Sequence, residues 1–307
     1  MQQSLKDLQS AYEHFFRRVQ NGATPGFPRF KRKGRNDAFR YPQGVKVHHS
    51  KVFLPKIGWA RYRDSRPVEG RILQATVKRE GPYWFVSLAC EVELPDSQPV
   101  ALETTRVVGI DVGLKTFATL SDGMAIENPL FLAQALAALR QAQRSLSRKV
   151  KRSQNWYRQL RKVVTLHTRV KNARLDLLHK VSTAIIKSHD VVAVEDLNIQ
   201  GMVKNHALAR SIADVGWDLF VALLKYKAAW VGKRLVQIGR FEATSQACSG
   251  CGQRQPMPLS LRTYECAGCG LTIDRDWNAS LNIRAAGLAV LNACGVGASR
   301  DIALVGG

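Results

Sequence analysis

The chain has 307 residues, enough for more than one domain with a buried core, and its 46 lysines and arginines against 24 acidic residues leave a net charge of +22. Such a surplus attracts polyanions, and nucleic acid is the usual one. No apolar run approaches the length of a bilayer span, and the N-terminus, Met-Gln-Gln-Ser-Leu-Lys-Asp, lacks the basic stretch and apolar core of a signal peptide, so the expectation is a cytoplasmic protein whose six cysteines are free or metal-bound.

Ser4 caps a predicted amphipathic helix that runs to about Val19, with Leu5, Leu8, Tyr12, Phe15 and Phe16 on one face and packing as its expected role. From Pro25 to Pro42, Pro and Gly forbid regular structure, and Arg29, Lys31, Arg32, Lys33, Arg35 and Arg40 are interleaved with Phe and Tyr. That pattern suits phosphate contacts from the cations and base stacking from the rings. From Val45 to Leu94 the period becomes two. Val52 and Leu54 mark one strand, Leu73, Ala75 and Val77 one side of another, and Gly81-Pro82 turns the chain into Trp84, Val86, Leu88, Cys90 and Val92, all on one face. A small antiparallel sheet or barrel is expected, with Cys90 in its core. The polar, Pro-containing stretch Glu93 to Glu103 sets a domain boundary.

Val107, Val108 and Ile110 then form a short apolar strand carrying one carboxylate, Asp111, and Gly113 lets the chain return through Phe117 to Leu120. A lone acid in such a strand needs a proton, a cation or a metal. Between Glu127 and Asp176 there is no acid, while Arg144, Arg148, Lys149, Lys151, Arg152 and Arg158 are among the cations there. Leucines at helical spacing predict two basic helices broken near Ser153-Gln-Asn155. So charged a stretch repels itself unless phosphates neutralise it. The second helix leads into Val191-Val-Ala-Val-Glu195, an apolar run of buried parallel-strand type. Neighbours in a strand point to opposite faces, so only one of Glu195 and Asp196 faces any site there. Gly201 to Asp214 reads as a polar loop with His206 unassigned, Trp217 to Val231 as an amphipathic helix, and Leu235, Val236 and Ile238 as a strand.

Cys248-Ser-Gly-Cys251 and Cys266-Ala-Gly-Cys269 form two CxxC knuckles, the spacing of a closed, structural tetrahedral zinc site that stands in for a core. Cys294 falls outside the pattern and reads as a free thiol. Thr272-Ile-Asp-Arg-Asp276-Trp-Asn-Ala-Ser-Leu-Asn-Ile283 opens a helix on two acids, Asp274 and Asp276, and residues 295–307 read as disordered. Three acids at the ends of elements that pack together suit magnesium or manganese, and two such ions clamp the attacking and leaving oxygens of a phosphodiester.

The order Gly-Ile-Asp111-Val-Gly, Val-Glu195-Asp-Leu, four-cysteine insertion, Asp276-Trp-Asn-Ala resembles the split RuvC nuclease of the TnpB proteins, which are encoded by bacterial insertion sequences and are similar to the compact type V CRISPR effectors. The resemblance runs from Gln3-Ser-Leu-Lys-Asp-Leu to about Cys294. It implies an α/β chain with an RNase H-like (RuvC) core and an inserted zinc ribbon, preceded by an N-terminal helix and a small β-rich, wedge-like domain that grips guide RNA and the start of the target duplex. The expected division is 1–42 for the helix and basic aromatic loop, 43–103 for the wedge-like domain, 104–243 and 274–290 for the nuclease, 244–273 for the ribbon and 291–307 for the tail. The activity implied is RNA-guided cleavage of DNA in the bacterial nucleoid, with guide RNA and a DNA target as partners, no membrane, and the oligomeric state left open. Asp111, Glu195 and Asp276 would hold two magnesium ions, the family motif selecting Glu195 over Asp196 and Asp276 over Asp274. Since Gln3-Ser-Leu-Lys-Asp-Leu matches the interior of the family pattern, the family's usual N-terminal strand and helical recognition domain are expected to be missing. Two rivals are kept: a nucleic-acid-binding protein that does not cut, acting as a repressor or guide-RNA partner, and a DNA-strand transposase.

Overall fold

A computed structural model of the chain describes residues 2–29, 37–65, 67–93, 106–202, 204, 209–239, 244–258 and 261–293. Lys31, Arg32, Lys33, Arg35, His206, Cys294, the tail 295–307 and most of the segment 93–103 lie outside the described residues. The chain divides into two units, one built from 1–96 with 142–168, the other from 97–141 with 169–307.

The first unit opens with α1 (Gln2–Gln20) and six short strands, β1 (Ala38–Tyr41), β2 (Lys46–His48), β3 (Lys51–Leu54), β4 (Gly58–Arg61), β5 (Arg71–Glu80) and β6 (Tyr83–Glu91). They form two antiparallel sheets, ordered β1-β5-β6 and β2-β3-β4. Their shared core is small: Val52, Leu54 and Val77 are buried, with Tyr41, Val47, Ala60 and Val86 packed on them. Three details differ from the sequence reading. β1 lies inside the stretch from Pro25 to Pro42 that was read as lacking regular structure, its four residues paired antiparallel with β5. Leu73 points outward, 44% exposed, because the pairing slips between Ile72 and Gln74. The extra residue of a bulge turns its side chain off the expected face. The apolar face of α1 is also largely open: Leu5, Leu8, Phe16 and Val19 are exposed, and its ring contacts outside the helix are Tyr12 and Phe15 on Phe27, with centroids 6.0 and 5.3 Å apart.

Two long helices, α2 (Phe131–Ser147) and α3 (Gln154–Ser188), contribute to both units. The break foreseen at Ser153 is a helix cap, the Trp156 backbone N–H donating to Ser153 Oγ at 3.1 Å. Gln159 Nε2 donates to the Ala142 carbonyl at 3.0 Å and ties the two helices together.

The second unit is built on a sheet ordered β11-β10-β7-β8-β9, from β7 (Val107–Val112), β8 (Thr116–Leu120), β9 (Ala125–Glu127), β10 (Val191–Glu195) and β11 (Arg234–Ile238). β7, β10 and β11 are parallel; β10 is buried on both faces, hence its continuous apolar sequence, whereas the edge strand β11 exposes Arg234 and Gln237, and β8 and β9 add antiparallel. On one face Val108, Ile110, Val192 and Val194 meet Leu178 and Ile185 of α3 and residues of α5 (Ala209–Val215) and α6 (Trp217–Trp230), Phe220 among them. Each such fully buried Leu, Ile or Phe contributes roughly 1.5–3 kcal/mol. The region foreseen as a polar loop therefore holds helical turns, α4 (Ile199–Met202) and α5. Ile212 and Val215 are buried, and Asp214 accepts from Arg174 Nη2 at 2.6 Å and from the Leu132 backbone N–H at 3.0 Å.

The opposite face carries α7 (Arg275–Ala293). Leu291 packs with Val107 and Val191, and Ile283 with Ala193 and Ile238. The approach is close because residues of the pair lack bulk. A Cβ placed on Gly109 would strike the Ser280 carbonyl and the Arg284 amide, and one on Gly287 would lie 2.5 Å from the Ala193 Cβ. These contacts fix the direction of α7, antiparallel to β7, with its first turn at the carboxyl ends of the parallel strands. Between α6 and α7 lies the four-cysteine segment with its two-stranded ladder, β12 (Thr263–Glu265) and β13 (Thr272–Asp274). Among the described residues no helix is long and apolar enough to cross a membrane.

Candidate active site

Asp111 and Glu195 stand side by side at the carboxyl ends of β7 and β10. The last paired residues are Ile110 and Val194, and each acid is the next residue along its strand. Adjacent strands lie about 4.8 Å apart and side chains alternate, so both carboxylates share the face of Gly109 and Ala193, the one covered by α7. The first turn of α7 brings Asp276 to the same end, where the helix macrodipole favours negative charge. Asp111 feels the charges of the other two. The half-buried Asp111 carboxyl is pushed from its ordinary 3.8 up to about 8, by burial first, then by the negative charges of Glu195 and Asp276, against the opposing pull of Arg275.

Asp274 Oδ1 accepts the backbone N–H groups of Asp276 at 2.9 Å and Trp277 at 3.0 Å, and so serves as the helix cap. Asp196 follows β10, its backbone N–H donating to the Ile238 carbonyl at 3.1 Å.

Side chains that the sequence reading did not single out hold these acids. Thr244 Oγ1 donates to Glu195 Oε1. Arg262 Nη1 lies 3.4 Å from Asp276 Oδ2. Arg275, only 9% exposed, donates to the Pro258 carbonyl at 3.2 Å, and its backbone N–H to that of Arg262 at 2.7 Å. Asn278 and Asn282, one turn apart on α7, both donate to the Ala247 carbonyl at 2.7 Å, and Asn282 also to that of Thr244 at 2.7 Å. Two amides at i and i+4 in an otherwise apolar helix face were the legible signal for this anchor. Arg262 and Thr244 had none.

The four predicted cysteines come together. Cys248 and Cys269 have their Sγ atoms 3.6 Å apart, as do Cys251 and Cys266, and all four lie within 4.8 Å of one another. Thiolates about 2.3 Å from a tetrahedral ion stand about 3.8 Å apart, so the donor set and its spacing fit one such ion. Backbone N–H groups of Cys269 and Gly268 donate to the Cys266 sulfur and draw its thiol down to about 6, which favours the ligating form. Tyr264 is fully buried beneath the knuckles, its hydroxyl donating to the Gln246 carbonyl at 3.0 Å. Among the described residues this is the only group of three or more ligand-type side chains so closely gathered. The three carboxylates interact without closing into such a group. Cys90 is half-buried on the side of β6 that also carries Val86 and Leu88.

Of the foreseen phosphate-binding cations, Arg29, Arg40, Arg144, Arg148, Lys149, Lys151, Arg152 and Arg158 are described, and all are exposed. All eight belong to the first unit. Arg40 sits 4.0 Å from Asp7, whereas no described carboxylate lies within ion-pair distance of Arg144, Arg148, Lys149, Lys151, Arg152 or Arg158.

A family model described as "Probable transposase" matches residues 87–206, and one described as "Cas12f1-like, TNB domain" matches 217–283. Among solved structures, the chain is similar to the "Cryo-EM structure of the Cas12f1-sgRNA-target DNA complex", with a TM-score of 0.55 over 87% of this chain and 67% of that one at 14% identity, a likeness of fold. The class is thus a mixed α/β protein of Cas12f1-like fold with an inserted four-cysteine group. "Putative RNA-guided DNA endonuclease InsQ" of Escherichia coli (strain K12) is 43% identical over 96% of this chain and 75% of its own length. "Putative RNA-guided DNA endonuclease" of Streptomyces pristinaespiralis is 38% identical over 97% and 73% respectively. The chain belongs to the TnpB family.

Proposed function

We propose that this chain is an RNA-guided DNA endonuclease. On this reading the second unit is an RNase H-like, RuvC-type nuclease core with a zinc ribbon, and the first unit supplies much of the surface that holds guide RNA and target DNA. The observation that carries it is the meeting of Asp111, Glu195 and Asp276, from three separated stretches of sequence, at one end of a parallel sheet. Relatives named as RNA-guided DNA endonucleases support the guide and the substrate.

Carboxylate oxygens are the hard ligands that magnesium or manganese prefer. Divalent ions bound there supply a nucleophilic water at neutral pH and neutralise charge on the attacking and leaving oxygens. The chain's own contribution is placement. Asp111, which feels the charges of both other acids, would be shared by the two ions, and Glu195 and Asp276 would each hold one of them. The exposed cations of α2, α3 and the turn between them would neutralise phosphates, binding that carries little sequence information and leaves target choice to base pairing.

Asp111→Ala, Glu195→Ala and Asp276→Ala should each abolish guided cleavage, measured with magnesium, target DNA and RNA from the flanking locus, and leave RNA affinity within about twofold. The products should carry 5′-phosphate and 3′-hydroxyl ends. Cutting by Asp111→Ala at the wild-type rate would reject the site. RNA binding without cutting by the wild-type chain would favour the binding-protein reading, and joined ends would favour a transposase.

A further inference from the structure

A buried threonine usually satisfies its hydroxyl on a nearby backbone carbonyl, as Thr168 does with that of Val164 at 2.8 Å. Thr244 does otherwise. It is 8% exposed, it immediately precedes the ribbon knuckles, and its Oγ1 donates to Glu195 Oε1 across the end of the sheet. Its own backbone is held in turn. Asn282 Nδ2 donates to the carbonyls of both Thr244 and Ala247, at 2.7 Å each, and Asn278 holds Ala247 from one turn earlier. These amides project from the helix whose first turn carries Asp276.

The geometry points to Thr244 as a positioning residue for the divalent-ion site, an inference that rests on the nuclease reading above. By engaging Oε1 it fixes the orientation of Glu195 and leaves Oε2 to the ion. Through Asn282 it references Glu195 to the helix of Asp276, about 9 Å along its axis at 1.5 Å per residue. Two acids on separate elements thus share one hydrogen-bonded frame, anchored at the mouth of the four-cysteine group. Groups that orient a metal ligand in this way typically change metal affinity or activity by 10–100-fold when removed.

The test uses the full chain with its guide RNA and three substitutions, Thr244→Val, Thr244→Ala and Thr244→Ser. Manganese binding is followed by the free-ion electron paramagnetic resonance signal, and guided cleavage is titrated with magnesium. Valine keeps the branched shape and alanine does not, but both lack the hydroxyl; both should weaken manganese binding and raise the magnesium needed for half-maximal cleavage about tenfold or more. Serine, which restores the hydroxyl, should behave as wild type in both measurements. Guide-RNA affinity should be unchanged throughout. Wild-type manganese binding and magnesium dependence in Thr244→Val would overturn the assignment, as would a serine variant as impaired as alanine. Glu195→Ala separates the two levels. If it too leaves manganese binding and cleavage intact, the fault lies in the placement of the ion site. If it abolishes them while valine does nothing, only the role of Thr244 falls.

Discussion

At the scale of single residues, Asp111 carries a carboxyl in a place that favours its neutral form. Its carboxyl is raised from 3.8 to about 8, and this is a statement about stability. Below about pH 4 the folded and unfolded states both hold the proton. Between about pH 4 and 8 only the folded state holds it, so stability falls as pH rises, and the full penalty stands above about pH 8. Asp111→Asn removes this titration. In buffer without divalent cations its thermal midpoint should lie near that of wild type at pH 4 and clearly above it at pH 8. A gap independent of pH would show that the carboxyl is not under this strain. That Asp111 was unusual was legible in the sequence, because a lone acid in an apolar strand needs a reason. The choice of Asp276 over Asp274 rested on a family motif; the structure supplies a physical counterpart in the cap made by Asp274. Thr244 was invisible because one threonine has no period and its partner is distant in sequence.

At the scale of elements, the longer strands and helices were readable because each has a period or a largely apolar run, as in Val107–Val112 and Val191–Glu195, whereas the four-residue β1 was not. What was misread is short or irregular. Seven residues of α5 give too few turns for periodicity, and one bulge turned Leu73 outward. The spacing of α7 from the sheet depends on what is absent from Gly109, and no pattern in a single sequence announces that. Gly109→Ala places a methyl group against the backbone of α7 at Ser280 and Arg284. Overpacking of this kind costs about 1–3 kcal/mol, to be read as a lower midpoint in urea unfolding. Because the helix must move as a body, cleavage should fall further than stability alone accounts for. A folded Gly109→Ala chain with full cleavage would mean that α7 tolerates displacement.

At the scale of the whole molecule, charge is divided between the units. The eight described candidate cations lie in the first and the three acids Asp111, Glu195 and Asp276 in the second. The sequence showed the +22 surplus and the long stretch without acids, and from those a polyanionic partner followed. Replacing Arg144, Arg148 and Lys149 together by alanine should weaken nucleic-acid binding and reduce the slope of log affinity against log salt by about 2–3, each lost phosphate contact accounting for about 0.7–0.9. An unchanged slope would remove these three from the interface.

The three acids are contributed in the order β7, β10, α7, with the four-cysteine segment made just before the last. A ribosome therefore produces the sheet and two of the acids well before the third exists. On the nuclease reading, a half-translated or prematurely terminated chain that stops short of α7 has no complete ion site, so the cutting power is withheld from the cell's own chromosome until synthesis has passed the first turn of α7.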